Sequence, residues 1–187
     1  MKVTWVPTPH PHLLLEDIFA EEELPQVMTE LHNLDSLLLP PHLSGSASRD
    51  GRPLKFNDAL LLANLKETSP LEGLLSNHLF EELFLQIPCH WFMHSLRLCN
   101  LHSFMVSRYA DGQYYNCHFD RCMFTTLVWM YDEPKQFTGG ELIFTEYKEV
   151  LEPKNNTGVI FFGAQLHEVP PVSGDGRYTI TRFSFNQ

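Results

Sequence analysis

Three side chains stand out by type and spacing. In His118-Phe119-Asp120 an imidazole and a carboxylate are separated by one residue, and alternate residues of an extended strand point the same way. A second imidazole, His167, follows in Leu166-His167-Glu168-Val169. Two imidazoles and one carboxylate form the facial triad that suits Fe(II), holding one side of an octahedron and leaving positions open for substrate and O2. A closed structural site would use a fourth protein ligand. The plain alternative is a surface turn at His118-Phe119-Asp120 and a hydrogen-bonded core histidine at 167, and for the HxD pair alone it is the better reading. His10, His12, His32, His78, His90, His94 and His102 are expected to be individually dispensable for iron.

The last strand-like segment, Arg177 to Phe185, adds a second chemistry. Its period of two puts Arg177, Thr179, Thr181, Phe183 and Phe185 on one face and turns Arg182 to the other. A guanidinium facing inward needs an anion, and a dicarboxylate would meet it in bidentate fashion while its other end chelates a metal. Without an anion it would be a buried unpaired charge, so the alternative is an exposed strand end.

The elements that must position these groups differ between the two halves of the chain. Leu24, Val27, Met28 and Leu31 recur with helical spacing behind Glu21-Glu22-Glu23, with Pro25 compatible only with a first turn. Ser69-Pro70-Leu71-Glu72 combines a capping box with Pro at the first helical position, ahead of Leu74, Leu75 and Leu79. Between them Leu43 to Pro53 (LSGSASRDGRP) lacks apolar periodicity and is expected to be a loop, either filler or a lid. From about Cys99 onward, short segments rich in Val, Ile, Thr, Phe and Tyr alternate with Gly/Asp/Asn turn signals, which indicates an antiparallel sandwich or barrel. Helices followed by strands imply an α+β domain with helices on one face of the sheet. Among the aromatics, Phe104, Phe119, Trp129, Phe144, Phe161 and Phe162 are expected mostly in the core, with one or two walling a pocket.

Composition narrows the function classes. With 187 residues, 43% hydrophobic, the chain suits one domain with a substantial core. Its net charge of -10, from 13 Lys+Arg and 23 Asp+Glu, lacks the basic stripe of a nucleic-acid backbone reader. The four cysteines form no CxxC pair, so free thiols are expected. The opening MKVTWVPTPHPHLLL is broken by Pro7, Pro9 and Pro11, and no apolar run approaches the roughly 20 residues of a membrane helix. An unexported, cytoplasmic protein off the membrane is expected. Asn155-Asn156-Thr157 is then a turn rather than a glycosylated sequon.

Four segments in order resemble one known family. They are Met105-Val106-Ser107-Arg108-Tyr109 with Asp111-Gly112-Gln113-Tyr114-Tyr115, His118-Phe119-Asp120, Thr138-Gly139-Gly140-Glu141-Leu142, and His167-Glu168-Val169-Pro170-Pro171-Val172 running to Arg177. Together they resemble the 2-oxoglutarate- and Fe(II)-dependent dioxygenases, in particular the prolyl 4-hydroxylase-like branch. The resemblance implies a double-stranded β-helix (jelly-roll, cupin-like) barrel with the N-terminal helices packed on its major sheet. It implies a single domain over residues 1–187, with 1–98 as support and 99–187 as catalytic core. By the same resemblance His118, Asp120 and His167 are the iron ligands and Arg177 binds the distal carboxylate of 2-oxoglutarate. Tyr109 and Thr181 line the cosubstrate pocket by the same resemblance; Tyr115 is expected to contact substrate, as are Arg49 and Arg52 if the Leu43 to Pro53 loop is a lid, the alternative being that the two arginines are solvated loop charges. Met130 stands where several prolyl hydroxylases place a tyrosine on the 2-oxoglutarate tail. The implied needs are Fe(II), 2-oxoglutarate and O2, with ascorbate as a reductant. The implied reaction hydroxylates an unactivated C–H bond, with decarboxylation of 2-oxoglutarate to succinate and CO2. A prolyl residue of a protein or peptide is the first substrate reading, a free amino acid or small metabolite the second, and a non-catalytic cupin-like binding module the third. Oligomeric state is not legible in the sequence.

Overall fold

Leu13 and Leu15, near the start of the chain, lie in the same sheet as the strands of its second half. In the computed structural model, residues 1–44, 48–49, 51–77, 83–86 and 90–187 are described. In chain order the elements begin with β1 (Lys2–Val6), β2 (His12–Glu16), α1 (Leu24–Asp35), β3 (Ser48–Arg49), β4 (Arg52–Pro53) and β5 (Asp58–Leu61). A short 3-10 turn precedes α2 (Pro70–Asn77), α3 (Leu83–Gln86) and α4 (Trp91–Arg97). The strands then run β6 (Leu101–Tyr109), β7 (Tyr115–His118), β8 (Phe124–Met130), β9 (Phe137–Gly139), β10 (Leu142–Phe144) and β11 (Glu149–Leu151). The chain closes with β12 (Thr157–Phe162), β13 (His167–Val169), β14 (Val172–Gly174) and β15 (Arg177–Phe185). It is mostly β-sheet with few helices.

A seven-stranded sheet has the order β1-β2-β12-β8-β15-β6-β5, and a four-stranded sheet the order β11-β10-β13-β7. Every pairing in both is antiparallel. Two short pairs, β14-β9 and β3-β4, complete the sheets.

Helices cover one face of the large sheet. Val27, Leu31 and Leu34 of α1, Leu71 and Leu75 of α2, and Phe92, Met93 and Leu96 of α4 share a buried cluster with Val106, Val128, Ile160 and Ile180 of the sheet. Each Leu or Phe so buried contributes roughly 1.5–3 kcal/mol, which makes this face the one that holds the fold together. Ser69 caps α2 by accepting from the Leu71 N–H at 3.3 Å, and its hydroxyl donates to Glu30 on α1 at 2.7 Å. The opposite face carries Ser107, Tyr109, Leu127, Arg177, Thr179 and Thr181 into a pocket roofed by His118, Leu142, His167 and Val169.

The support region contributes strands as well as helices: β2 pairs with β12 and β5 with β6, with Leu13, Leu15 and Leu60 on the large sheet's core side and Ala59, opposite Ser107, on the other. Three expectations change. The stretch from Leu43 to Pro53 contains a hairpin, Ser48 and Arg49 opposite Pro53 and Arg52, turned at Gly51 with φ 75°. Phe119 is exposed rather than core, since the strand ends at His118. Met130 is fully buried in the cluster beneath the helices, so strand alternation points it away from the pocket. Among the described residues no helix is long and apolar enough to cross a membrane, and the three described cysteines, Cys99, Cys117 and Cys122, form no disulfide. Asn155 and Asn156 form a turn whose side chains bind Tyr131 N–H and both backbone groups of Phe19.

Candidate active site

His118 ends β7 and His167 begins β13, and the two are register partners across that antiparallel pair. A register shift follows immediately, between His167 and Val169, where the irregularity lets the ring turn inward. Each imidazole is fixed by a backbone carbonyl: His118 Nδ1 donates to Asn116 O and His167 Nδ1 donates to Gln165 O, both at 2.8 Å. A carbonyl only accepts, so in the neutral ring the proton sits on Nδ1 and Nε2 presents a lone pair. Tyr115 stacks flat on His118 at 3.7 Å, and Phe161 meets His167 edge-on at 4.9 Å.

Asp120 lies just beyond the strand, held by its N–H to Gly163 O at 2.8 Å. Its Oδ1 is 3.7 Å from His118 Nε2 and its Oδ2 is 3.7 Å from His167 Nε2. The ligand-capable atoms of all three residues fall within 4.8 Å of one another. Thr125 Oγ1 donates to Asp120 Oδ2 at 2.5 Å, fixing the carboxylate's orientation. Burial pushes the Asp120 carboxyl up, opposed by His167 and by the Thr125 hydrogen bond. Two lone pairs and a carboxylate converging in a pocket, each held from behind, are a fitting donor set for a divalent metal.

At the other end of the pocket Arg177, 1% exposed, lies over the Tyr109 ring at 4.4 Å and donates to Thr179 Oγ1 at 2.9 Å. Its Nε has no hydrogen-bond partner, and among the described residues no carboxylate lies within ion-pair distance of it. Burial lowers its affinity for the proton, opposed chiefly by Tyr109. The site is therefore a buried cation without an ion-pair partner among the described residues, at the end of a pocket, an environment that a carboxylate ligand satisfies. Gly139 and Gly140 open the space: a Cβ at 140 would meet Val172 Cγ2 at 2.7 Å and Arg177 Cδ and Nε at 2.8 Å.

Of the residues singled out in the sequence, His118, Asp120, His167, Tyr109, Tyr115, Arg177 and Thr181 line one pocket. Arg52 is exposed and does not line it; the side chain of Arg49 lies outside the described residues, although its backbone pairs with Arg52. Arg182 is buried on the helix side over Phe104. Sequence reasoning missed Thr125, Met105, Ser107 and Leu127. Running the strand alternation back from Tyr109 through Ser107 to Met105 would have found two of them; Thr125 has no local signal.

Residues 104–185 match the family model described as the 2OG-Fe(II) oxygenase superfamily. The match covers a little under half of the chain, and the superfamily it describes uses Fe(II) and 2-oxoglutarate. Among solved structures, the chain is similar to a Pseudomonas putida prolyl-4-hydroxylase, at 18% identity over 96% of this chain and 94% of that one, with TM-score 0.68. A Trichoplax adhaerens prolyl hydroxylase in complex with a hypoxia inducible factor oxygen degradation domain peptide is similar at 16% identity over 94% and 83%, TM-score 0.69. A Burkholderia pseudomallei oxidoreductase of the 2OG-Fe(II) oxygenase family matches at 16% over 94% and 85%, TM-score 0.69. At these identities the likeness is one of fold. No curated protein sequence matches the chain.

Proposed function

We propose that this chain is a hydroxylase of prolyl residues in peptides or proteins, with His118, Asp120 and His167 holding Fe(II) and Arg177 binding the distal carboxylate of 2-oxoglutarate. The observation that carries the reading is the pocket itself, with three metal-capable groups at one end and a buried guanidinium without a counter-charge at the other. Its seven- and four-stranded sheets are read as the two walls of a double-stranded β-helix, with residues 1–98 supporting a catalytic core over 99–187. Peptide prolyl substrates are favoured by the fold shared with prolyl hydroxylases, one of them crystallised with a peptide.

In this reading the iron, once bound with 2-oxoglutarate and O2, supplies the oxidising power that decarboxylates the cosubstrate to succinate and hydroxylates a C–H bond. The protein's share is placement. Asn116 O and Gln165 O hold the two Nδ1 protons, so that Nε2 of each ring faces inward. Thr125 holds Asp120. Arg177, with Thr179 fixing one of its nitrogens and Thr181 alongside, sets the depth at which a dicarboxylate stops. Tyr109 and Tyr115 wall the pocket, while Met105, Leu127 and Leu142 keep it apolar and poor in water.

The test is mass spectrometry of proline-containing peptides and free amino acids incubated with protein, Fe(II) and 2-oxoglutarate. A gain of one oxygen on a peptide proline, with stoichiometric succinate, is expected. Oxygen gain only on a free amino acid would overturn the peptide assignment. Absence of 2-oxoglutarate turnover by folded, iron-loaded protein would overturn the enzymatic one.

A further inference from the structure

A second group of metal-capable side chains lies outside the pocket. His10 precedes β2, His12 opens it, and Glu149 opens β11. Ligand atoms of all three lie within 4.8 Å of one another. We propose that His10, His12 and Glu149 bind a divalent transition-metal ion of the zinc class, at a second site that clamps β2 of the large sheet to β11 of the four-stranded sheet.

Geometry comes first. His10 Nδ1 is 3.4 Å from Glu149 Oε2, and His12 Nε2 is 3.8 Å from Glu149 Oε1. Both exceed ordinary hydrogen-bond lengths. Donor atoms about 2.0–2.1 Å from a tetrahedral zinc stand roughly 3.4 Å apart, so the three groups have the spacing of ligands around an ion rather than of a hydrogen-bonded triad.

The second observation is independent of spacing. His10 and His12 are 3% and 0% exposed, yet His10 Nδ1 and Nε2, His12 Nε2 and Glu149 Oε2 are buried without hydrogen-bond partners. Buried polar atoms are nearly always satisfied, and here each of three neighbouring residues carries an orphaned atom, with one ligand atom from each within 4.8 Å of the others, so the group lacks a partner, one that protein atoms do not supply. His12 Nδ1 donates to His10 O at 3.1 Å, which leaves its Nε2 lone pair directed away from that bond, as in metal-ligating histidines.

The surroundings suit a structural ion. Phe144 and Tyr147 pack on His10 at 4.0 and 5.3 Å. β2 belongs to the large sheet and β11 to the four-stranded one, so the ion would bridge them. The same aromatic layer backs the first site: Phe144 is the register partner of His167, and Phe161 that of His12. Three protein ligands leave a fourth tetrahedral position, and Glu149, 25% exposed in its side chain, lies nearest to solvent for a water to fill it.

The experiment is a titration of chelator-stripped, full-length protein with Zn2+ alone against a chromophoric chelator, repeated with Co2+. Wild type should bind two equivalents. The double variant H118A/D120N should keep one, with the intense visible bands of four-coordinate Co2+, and E149Q or H10Q should lose that one while keeping the other. Zn2+ should raise the Tm of H118A/D120N and not that of H118A/D120N/E149Q. Circular dichroism checks each fold; H10Q replaces E149Q if the latter misfolds. A folded H118A/D120N that binds no Zn2+, or binding indifferent to both E149Q and H10Q, overturns the proposal. Loss at the first site alone would bear only on the iron ligands and leave this site standing.

Discussion

Gly140 lies against Arg177 so closely that a Cβ at position 140 would sit 2.8 Å from both Cδ and Nε of the arginine. Gly140 also has φ +71°, where a side chain is disfavoured. Gly140 thus leaves the room that the Arg177 side chain occupies, while Gly139 does the same for the backbone at Pro171.

Gly140→Ala is expected to displace Arg177 and weaken 2-oxoglutarate binding about 10- to 100-fold, the effect of losing one charge-assisted hydrogen bond worth roughly 1.5–3 kcal/mol. Isothermal titration with 2-oxoglutarate would measure it. Unchanged affinity would show that Arg177 does not bind the cosubstrate or that the strand shifts to accommodate the methyl.

Arg177→Met separates stability from function. A buried guanidinium without a carboxylate at ion-pair distance costs desolvation that the Thr179 hydrogen bond and the Tyr109 ring offset only in part, so the variant should unfold at the same temperature as wild type or higher when 2-oxoglutarate is absent. Wild type should gain about 2.7 kcal/mol at a cosubstrate concentration 100 times Kd, and the variant should gain none. Thermal scans with and without 2-oxoglutarate distinguish the two; a variant stabilised like wild type would refute the role.

Thr125→Val keeps the shape and removes the hydroxyl that donates to Asp120 Oδ2 at 2.5 Å. Loss of such a supporting bond typically costs 10- to 100-fold, about that much, in metal affinity. The Fe(II) concentration for half-maximal succinate release should rise accordingly, with the 2-oxoglutarate requirement unchanged.

Lys55 gives a pH signature. It is 3% exposed, donates to Ser44 Oγ at 2.7 Å, and is pushed down to about 8 by burial, with Asp58 opposing. Below pH 8 it is protonated in both folded and unfolded chains, and the burial penalty, on the order of 3 kcal/mol, is present in full. Between pH 8 and 10.5 the unfolded chain holds a proton that the folded one has lost, so this group makes stability rise with pH. Lys55→Met should therefore stabilise at pH 7, and its advantage should shrink towards pH 10. Urea unfolding of both proteins at pH 7, 8.5 and 10 would show it; a pH-independent difference would count against it.

What the sequence determined by itself was local. Helical spacing and the prolines at 25 and 70 placed α1 and α2, and the period of a strand separated Arg177, Thr179 and Thr181 from Arg182, because side-chain direction along one element depends only on its own backbone. Alternation cannot say which of two faces is the pocket, and so Met130 was aligned with a cosubstrate contact although it packs under the helices. Only the tertiary structure decided which residues meet across the chain. His118 faces His167 because β7 pairs with β13, Gly140 clears Arg177, and His10 and His12 meet Glu149 because β2 joins the large sheet beside β12. Those meetings depend on strand register and sheet order, set by the burial of the whole core, and no short stretch of sequence carries that information.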